Sequence, residues 1–158
     1  MEDLKELEKN YEELGKEIER LKSFQNIGRA ERGNRYFFVD SYGNECNDRD
    51  YANKQDDFRY DTGNYFLTIQ ELSDNIEKSK IRAKLERLAI KLNGGRKINW
   101  NDTNTSKYKI VFDFDNYCLY QESNCCQCIQ GAIYCTNINF LEEAKKEIGE
   151  ADLKKLFE

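Results

Sequence analysis

The sequence predicts an α+β protein in which an N-terminal coiled-coil helix precedes two ββα-like units with antiparallel sheet. Three observations predict this class. Apolar residues repeat at heptad spacing near the start of the chain. Tyr- and Phe-rich segments, typical of strands, follow it. Two of these segments run into a helix that begins with a capping pattern. The chain has 158 residues, of which 39% are apolar, and its 10 Tyr and 9 Phe can fill a core.

Residues 1–24 are predicted to form a coiled-coil oligomerisation helix. Glu17 and Lys22 occupy flanking positions that can pair across a parallel dimer. An amphipathic helix packed on its own domain is the alternative. The narrow seam and the charged remaining faces favour self-association. Three heptads alone form a coiled coil of marginal stability, so the globular part must help to hold the dimer. The seam consists of Leu4, Leu7, Tyr11, Leu14, Ile18 and Leu21.

Residues 25–34 are predicted to be a linker between this helix and an α+β domain at 35–158. Arg29, Arg32 and Arg35 follow one another at a spacing of three in this region. A phosphate-binding arm is one interpretation of this spacing, and a solvated basic linker is the favoured one.

The first ββα-like unit is predicted to cover residues 35–93. Thr68 and Glu71 form a capping box that begins its helix, and Gly94 and Gly95 follow the end of that helix. The predicted elements are a strand at 35–42, a turn at 43–44, a polar loop at 45–61 with a short return strand, a second strand at 64–67 and a helix from 68 to 93.

The second ββα-like unit is predicted to cover residues 108–149. Ile110, Phe112, Phe114 and Cys118 alternate along a long strand and share one predicted face, opposite Asp113. The predicted elements are strands at 108–120 and 131–135, a helix that opens with a capping arrangement at 139–142 and runs to Gly149, and a C-terminal amphipathic segment at 150–158.

The cysteines of this unit are interpreted as structural. A hairpin with its turn at residues 126–127 makes Cys118 and Cys135 direct neighbours, and likewise Cys125 and Cys128, but on opposite faces. Four thiolates so arranged cannot bind a tetrahedral zinc, so no metal site is predicted. Cys118 and Cys135 are interpreted as apolar fillers, while Cys125, Cys126 and Cys128 crowd the hairpin tip, where metal binding or oxidation stays open.

The composition argues against an enzyme. The chain has no histidine, which removes the usual general base at neutral pH and the commonest metal ligand. It also lacks a P-loop and a dinucleotide fingerprint. No cofactor is therefore expected. No apolar run is long enough to span a membrane, and the charged start is no secretory signal, so a cytoplasmic location is expected.

The segment 77–97 is the most basic part of the chain. It contains eight Lys or Arg against two Glu, a net charge of +6, in a chain of net charge −5, so the remainder carries −11. Such a segment can bind RNA, DNA or the phosphate of a nucleotide. The alternative is a solvated face, or one neutralised by the acidic loop at 45–61. The basic stripe, spaced 4, 3 and 4, is Lys80, Lys84, Arg87 and Lys91.

The acidic remainder suggests a surface that mimics nucleic acid and occupies a basic groove. Asp113 and Asp115 lie two residues apart and can also be imagined around a hard cation. Exposed carboxylates on the solvent side of a strand are the favoured interpretation of that pair. The predicted carriers of the mimic are Asp48, Asp50, Asp56, Asp57, Asp61, Asp113 and Asp115.

Five segments carry a resemblance to a known group of proteins: residues 7–21, 59–68, 97–102, 130–135 and 147–150. Through them the chain resembles small uncharacterised accessory proteins encoded by phages and prophages of low-GC bacteria. The resemblance covers nearly the whole chain, and none of its motifs is a catalytic signature. It implies an α+β phage protein in the cytoplasm of the infected or lysogenic host, with no functional residues to transfer.

The resemblance also implies a function, because such accessory proteins often inhibit bacterial defence systems, including CRISPR effectors. The expected function is a non-enzymatic, anti-CRISPR-like inhibitor that binds a host defence protein or ribonucleoprotein. The alternative is an oligomeric, dimeric module that binds a nucleotide or nucleic acid such as RNA through the basic stripe. Neither interpretation involves a membrane.

Overall fold

The computed structural model describes residues 10–18, 20 and 27–158. It is a mixed protein of helices and two small antiparallel sheets, so the predicted α+β class is confirmed. The chain divides into two compact units, with the boundary between Asp74 and Asn75. The elements are a helix α1 that includes residues 10–18 and 20, then β1 (Arg35–Val39), β2 (Glu45–Arg49), α2 (Lys54–Asp61), α3 (Ile69–Leu92), β3 (Lys107–Asp113), β4 (Cys118–Asn124), β5 (Tyr134–Cys135), α4 (Phe140–Glu147) and α5 (Glu150–Lys155).

In unit 1, β1 and β2 form an antiparallel hairpin in which Arg35 pairs with Arg49 and Val39 with Glu45. The connecting turn is held by Asp40, whose carboxylate accepts the N–H groups of Tyr42 and Asn44 at 2.8 and 2.9 Å. The prediction of a strand at 64–67 is wrong. The segment pairs with β1 through a single bridge, between Phe66 and Phe37.

The short return strand predicted within 45–61 is present as β2, but the rest of the predicted loop is wrong, because it contains the helix α2. The side chain of Asn53 accepts the N–H groups of Gln55 and Asp56, and Asp56 in turn accepts the N–H of Asn53. This capping box uses Asp at the position where Glu or Gln is usual. The acidic composition of the segment gives no indication that a helix begins there.

The long helix α3 begins and ends where the sequence predicts. The Thr68 hydroxyl accepts the N–H of Glu71, and the Glu71 carboxylate accepts the N–H of Thr68. Gly94 and Gly95 adopt positive φ angles of 66° and 75° just after Leu92, a conformation that glycine allows at a helix end.

In unit 2, the single strand predicted at 108–120 is wrong, since the chain turns back at residues 114–117 to form the β3–β4 hairpin. Asp113 makes the turn by accepting the N–H groups of Asp115 and Asn116 and the side-chain amide of Asn116. Apolar residues alternate on both sides of the turn, with only Asn116 interrupting the series, so periodicity alone does not separate the two strands. The sheet order is β4-β3-β5.

The core of unit 2 lies between the second half of α3, the sheet and the two C-terminal helices. The predicted helix at 139–149 is confirmed, but its predicted cap is wrong because Asn139 makes no side-chain cap hydrogen bond. The side chain of Asn137 accepts the N–H of Asn139 instead. The core residues include Leu85, Leu88, Ile110, Phe112, Cys135, Phe140, Ala144 and Leu153.

Among the described helices, none is both long and apolar enough to cross a membrane.

Candidate phosphate-binding surface

The basic stripe occupies the solvent face of α3 in unit 2. Ile81, Leu85 and Leu88 of the same helix are buried in the core, about a quarter turn around the helix from the stripe, and this packing fixes the direction of the stripe. Lys80, Lys84 and Arg87 are exposed, and within the described part of the chain none of them forms an ion pair or a side-chain hydrogen bond. Lys91 lies 3.5 Å from Glu147 across an exposed pair, which water screens.

The two glutamates of the basic segment are bound to other cations. Glu86 accepts from Arg82 at 3.0 Å, and Glu77 lies 2.7 Å from the ammonium of Lys155. Each of these carboxylates is therefore paired with a cation outside the stripe. The positive field of Lys80, Lys84 and Arg87 is directed to solvent.

The carboxylates predicted to mimic nucleic acid do not form a free acidic surface. Asp50 and Asp56 are only 2% and 0% exposed. Asp57 lies 2.8 Å from Arg29, and Asp48 lies 3.3 Å from Arg59. Asp113 holds the β3–β4 turn, which leaves Asp61 and Asp115 as the exposed remainder. The prediction of a mimic is wrong at Asp50 and Asp56, which are buried, and Asp48 and Asp57 are each paired with an arginine of unit 1.

Asp50 is the centre of a buried hydrogen-bond network in unit 1. Its carboxylate accepts two N–H groups of Arg29, at 2.6 and 3.0 Å, and the hydroxyl of Tyr65 at 2.7 Å. Burial raises the pKa of Asp50, but these hydrogen bonds lower it by more, so the net pKa lies below the usual value. Arg29 is thus directed into unit 1, where it cannot serve in the phosphate-binding arm considered for residues 29–35.

A second set of contacts continues this network around Asp56. Its carboxylate accepts the hydroxyl of Tyr36 at 2.8 Å and the N–H of Tyr51 at 2.9 Å. The guanidinium of Arg59 lies 3.5 Å above the ring of Phe38 and donates to the Tyr36 hydroxyl. Burial raises the pKa of Tyr36 to about 12.

This network is a fully hydrogen-bonded structural element of unit 1. Among the residues that the structure describes, no buried side-chain nitrogen or oxygen lacks a hydrogen-bond partner. The sequence gives no signal for the pair of Arg29 and Asp50, which are 21 residues apart. Only the cap formed by Asn53 and Asp56 could have been found from residue spacing.

The seam of α1 presents apolar side chains to solvent in the single chain. Tyr11, Leu14 and Ile18 are 82%, 63% and 45% exposed. Glu17, predicted to pair across a dimer, is bound by Arg20 of its own helix at 2.7 Å. The other three seam residues, Leu4, Leu7 and Leu21, and the predicted partner Lys22 lie outside the described residues.

The predicted pairing of the cysteines is wrong. Cys118 pairs with Asp113 in the β3–β4 hairpin and is exposed, so it is not a core filler. Cys135 is fully buried opposite Tyr108, as expected of a filler, and burial raises the pKa of its thiol. Cys125 and Cys126 are exposed with their sulfurs 3.7 Å apart. Within the described ranges, no three Cys, Asp or Glu side chains form a cluster that could hold a metal ion.

Comparison with known proteins gives no family assignment. No family model, no curated protein and no solved structure matches the chain.

Proposed function

We propose that the protein is a non-enzymatic, dimeric binding protein that holds the phosphate backbone of a nucleic acid on the basic stripe of α3. The observation that carries the proposal is the electrostatic state of the stripe. Lys80, Lys84 and Arg87 are exposed without a partner among the described residues, while Glu77 and Glu86 are bound to other cations.

The spacing of the stripe suits a phosphate backbone. At about 1.5 Å of rise per residue, Lys80 and Arg87 lie about 10 Å apart along the helix axis. One strand of a duplex carries a phosphate about every 3.4 Å along its axis, so the distance from Lys80 to Arg87 spans about three phosphate intervals and each cation can contact a phosphate of the same strand. Lys91 extends the stripe by one turn, since its exposed ion pair with Glu147 costs little to exchange for a phosphate.

Self-association through the α1 seam increases the strength of such binding. Three phosphate contacts from one chain give weak binding, with non-specific Kd values typically about 10⁻⁴ to 10⁻⁶ M. Two stripes in one dimer act on the same strand at a high effective concentration, which raises the apparent affinity without a new contact. The exposed Leu14 and Ile18 are consistent with a coiled coil that supplies this dimer.

The experiment compares charge reversal on the stripe with charge reversal elsewhere. Fluorescence anisotropy measures binding of labelled single-stranded RNA and duplex DNA to the intact protein and to the triple variant Lys80→Glu, Lys84→Glu, Arg87→Glu. The control is Arg32→Glu, Lys54→Glu, Lys146→Glu, which makes the same change in net charge at exposed positions outside the stripe.

The proposal predicts that the stripe variant loses at least about tenfold in affinity, or about 1.4 kcal/mol, relative to the control variant. If net charge alone determined binding, both variants would lose the same affinity for nucleic acid. Equal binding by the two variants contradicts the proposal. Undetectable binding by the intact protein at low salt contradicts it as well.

The resemblance to phage accessory proteins supports a more specific version of the same function. In this version the bound nucleic acid is the RNA of a bacterial defence ribonucleoprotein, and the protein inhibits that complex in the cytoplasm of the host. Capture from a bacterial lysate tests it with the intact protein and the stripe variant, each with and without ribonuclease. Capture of a defence ribonucleoprotein that both ribonuclease and the stripe variant abolish supports this version. Capture that persists in the stripe variant places inhibition on another surface.

A further inference from the structure

A polar cleft of about 280 Å³ lies in unit 2 beyond the C-terminal end of α3. Its walls come from the chain that follows the helix, from the start of β3 and from Thr136 after β5. The side chains that determine its chemistry are Asn93, Arg96, Lys97, Asp102, Lys107 and Thr136. The proposed backbone contacts of the stripe do not use this cleft.

Lys107 is the unusual residue of the cleft, because it is a lysine only 1% exposed. Its ammonium donates to the backbone carbonyl oxygens of Asp102 and of Cys125, the latter at 2.9 Å, and lies 5.6 Å from the centre of the Trp100 ring. Asp102 interacts electrostatically with this ammonium, but no carboxylate among the described residues lies within ion-pair distance of it. Buried charges are normally paired, because an uncompensated charge away from water is costly.

Further donors line the same cleft. Arg96 and Lys97 are exposed, and their side chains have no hydrogen-bond or ion-pair partner in the described part of the chain. The side-chain oxygen of Asn93 accepts the N–H and the hydroxyl of Thr136, both at 2.8 Å. This arrangement leaves the amide nitrogen of Asn93 as a donor for another group.

One carboxylate lies in the cleft and is already bound by its neighbours. Asp102 accepts the Thr105 hydroxyl at 2.5 Å and the Asn104 N–H at 3.0 Å. These hydrogen bonds lower its pKa, so it is ionised at neutral pH. Three cations against one carboxylate give the cleft a net charge of +2.

We infer that this cleft binds a phosphate dianion, carried by a small molecule or by the end of a nucleic-acid strand. A dianion matches the net charge of the cleft, and its oxygens can accept from the guanidinium of Arg96, from the ammonium of Lys97 and from the amide of Asn93, while the buried Lys107 contributes its positive charge. The volume lies at the lower limit of the roughly 300–1,000 Å³ typical of drug-sized ligand sites, which favours a small group.

Calorimetric titration with inorganic phosphate tests the cleft on the full chain. Arg96→Ala with Lys97→Ala removes two exposed cations without disturbing the core, and Lys107→Met removes the buried one. The control is Arg32→Ala with Lys54→Ala, which removes two exposed cations outside the cleft. Both cleft variants lose charge-assisted contacts with the dianion, so they should bind phosphate at least about tenfold more weakly than the control.

Absence of binding by the intact protein at about 10 mM phosphate overturns the inference. Unchanged affinity in the Arg96→Ala, Lys97→Ala variant overturns it too, and this test stands even if Lys107→Met fails to fold. Retained phosphate binding by the Lys80→Glu, Lys84→Glu, Arg87→Glu variant supports a site independent of the stripe, so the two proposals can fail separately.

Oligonucleotides with a phosphate at the 5′ end, at the 3′ end or at neither distinguish the two sources of the dianion. Tighter binding of a phosphorylated strand, lost in the Arg96→Ala, Lys97→Ala variant, assigns the cleft to a strand end. Equal binding of all three strands by a protein that binds inorganic phosphate assigns it to a small molecule.

Discussion

The two compact units differ in what they do with their charged side chains. Unit 1 contains eleven Lys or Arg and eighteen Asp or Glu, a net charge of −7. Unit 2 contains fourteen against twelve, a net charge of +2. Among the described residues, unit 1 nevertheless pairs Asp48, Asp50 and Asp57 with its own arginines, whereas unit 2 presents Lys80, Lys84 and Arg87 together to solvent. Net charge is therefore a poor guide to which surface can bind a charged partner.

Arg29 of unit 1 and Arg87 of unit 2 show the difference most clearly. The guanidinium of Arg29 binds the carboxylates of Asp50 and Asp57, and its side chain is 13% exposed. Arg87 is exposed and has no partner among the described residues. The first arginine stabilises the fold, while the second contributes to a positive field in solvent. The residue type is the same, and the surroundings decide its role.

The largest expected effect concerns the exposed apolar residues of unit 1. Replacing Leu14 and Ile18 with Asp should abolish the dimer, because each Leu or Ile contributes about 1.5–3 kcal/mol when buried, and both protomers lose two. Size-exclusion chromatography with light scattering measures the mass. The control is Lys16→Asp, which introduces an aspartate on the outward face of the same helix. A monomeric intact protein, or a dimer that survives the double substitution, contradicts the coiled coil.

The next effect separates the two arginines. Arg29→Met should lower the free energy of unfolding by about 3–5 kcal/mol, because Asp50 stays buried without its cation. Arg87→Met, the same substitution on the stripe, should change it by less than about 0.5 kcal/mol. Urea denaturation of both variants measures the difference. Equal losses in the two variants would show that the units do not differ in their use of charge.

The fold was predictable from sequence where a few neighbouring residues determine an element. Thr68 and Glu71 begin α3, and Gly94 and Gly95 end it. The helix α2 was not predicted, because its cap uses Asp56 where Glu is usual. The turn after Asp113 was not predicted, because apolar residues occupy alternate positions in the strands on both sides of it. Hydrogen bonds from short polar side chains to nearby backbone groups thus determine both elements, and hydrophobic periodicity does not reveal them.

The candidate sites were predictable only in part, for a related reason. The spacing of Lys80, Lys84 and Arg87 alone predicts that they share one face of a helix. The burial of Lys107 has no sequence signal, since lysine is among the residues least often buried. The pair of Arg29 and Asp50 depends on the packing of segments that are distant in sequence.

A pH titration sharpens the description of unit 1. Burial raises the pKa values of Asp50 and Asp56, but hydrogen bonds lower them by more, so both lie below the usual 3.8. A depressed pKa contributes stability that is present above pH 3.8 and is lost as the pH falls through the lower, native pKa values. Stability should therefore decrease below pH 3.8, and less steeply in Asp50→Asn. Denaturation at a series of acidic pH values measures the slope, and an equal slope in the variant contradicts the assignment.

The smallest effect concerns two aspartates of unit 2 that sequence alone does not distinguish. Asp113→Ala should lower stability by about 1 kcal/mol, because it removes the acceptor of the β3–β4 turn. Asp115→Ala should have almost no effect, since Asp115 is exposed and its side chain has no partner among the described residues. Thermal unfolding of the two variants provides the test, and a reversed order would contradict the role of Asp113.

The salt dependence of nucleic-acid binding tests the free charge of unit 2 most directly. Three cations on duplex DNA give a slope of log K against log salt of about −3 for each chain in contact. Lys80→Ala, Lys84→Ala and Arg87→Ala should each reduce that slope by about one, whereas Lys54→Ala on unit 1 should leave it unchanged. Slopes that are the same in the intact protein and in all three stripe variants would contradict the account.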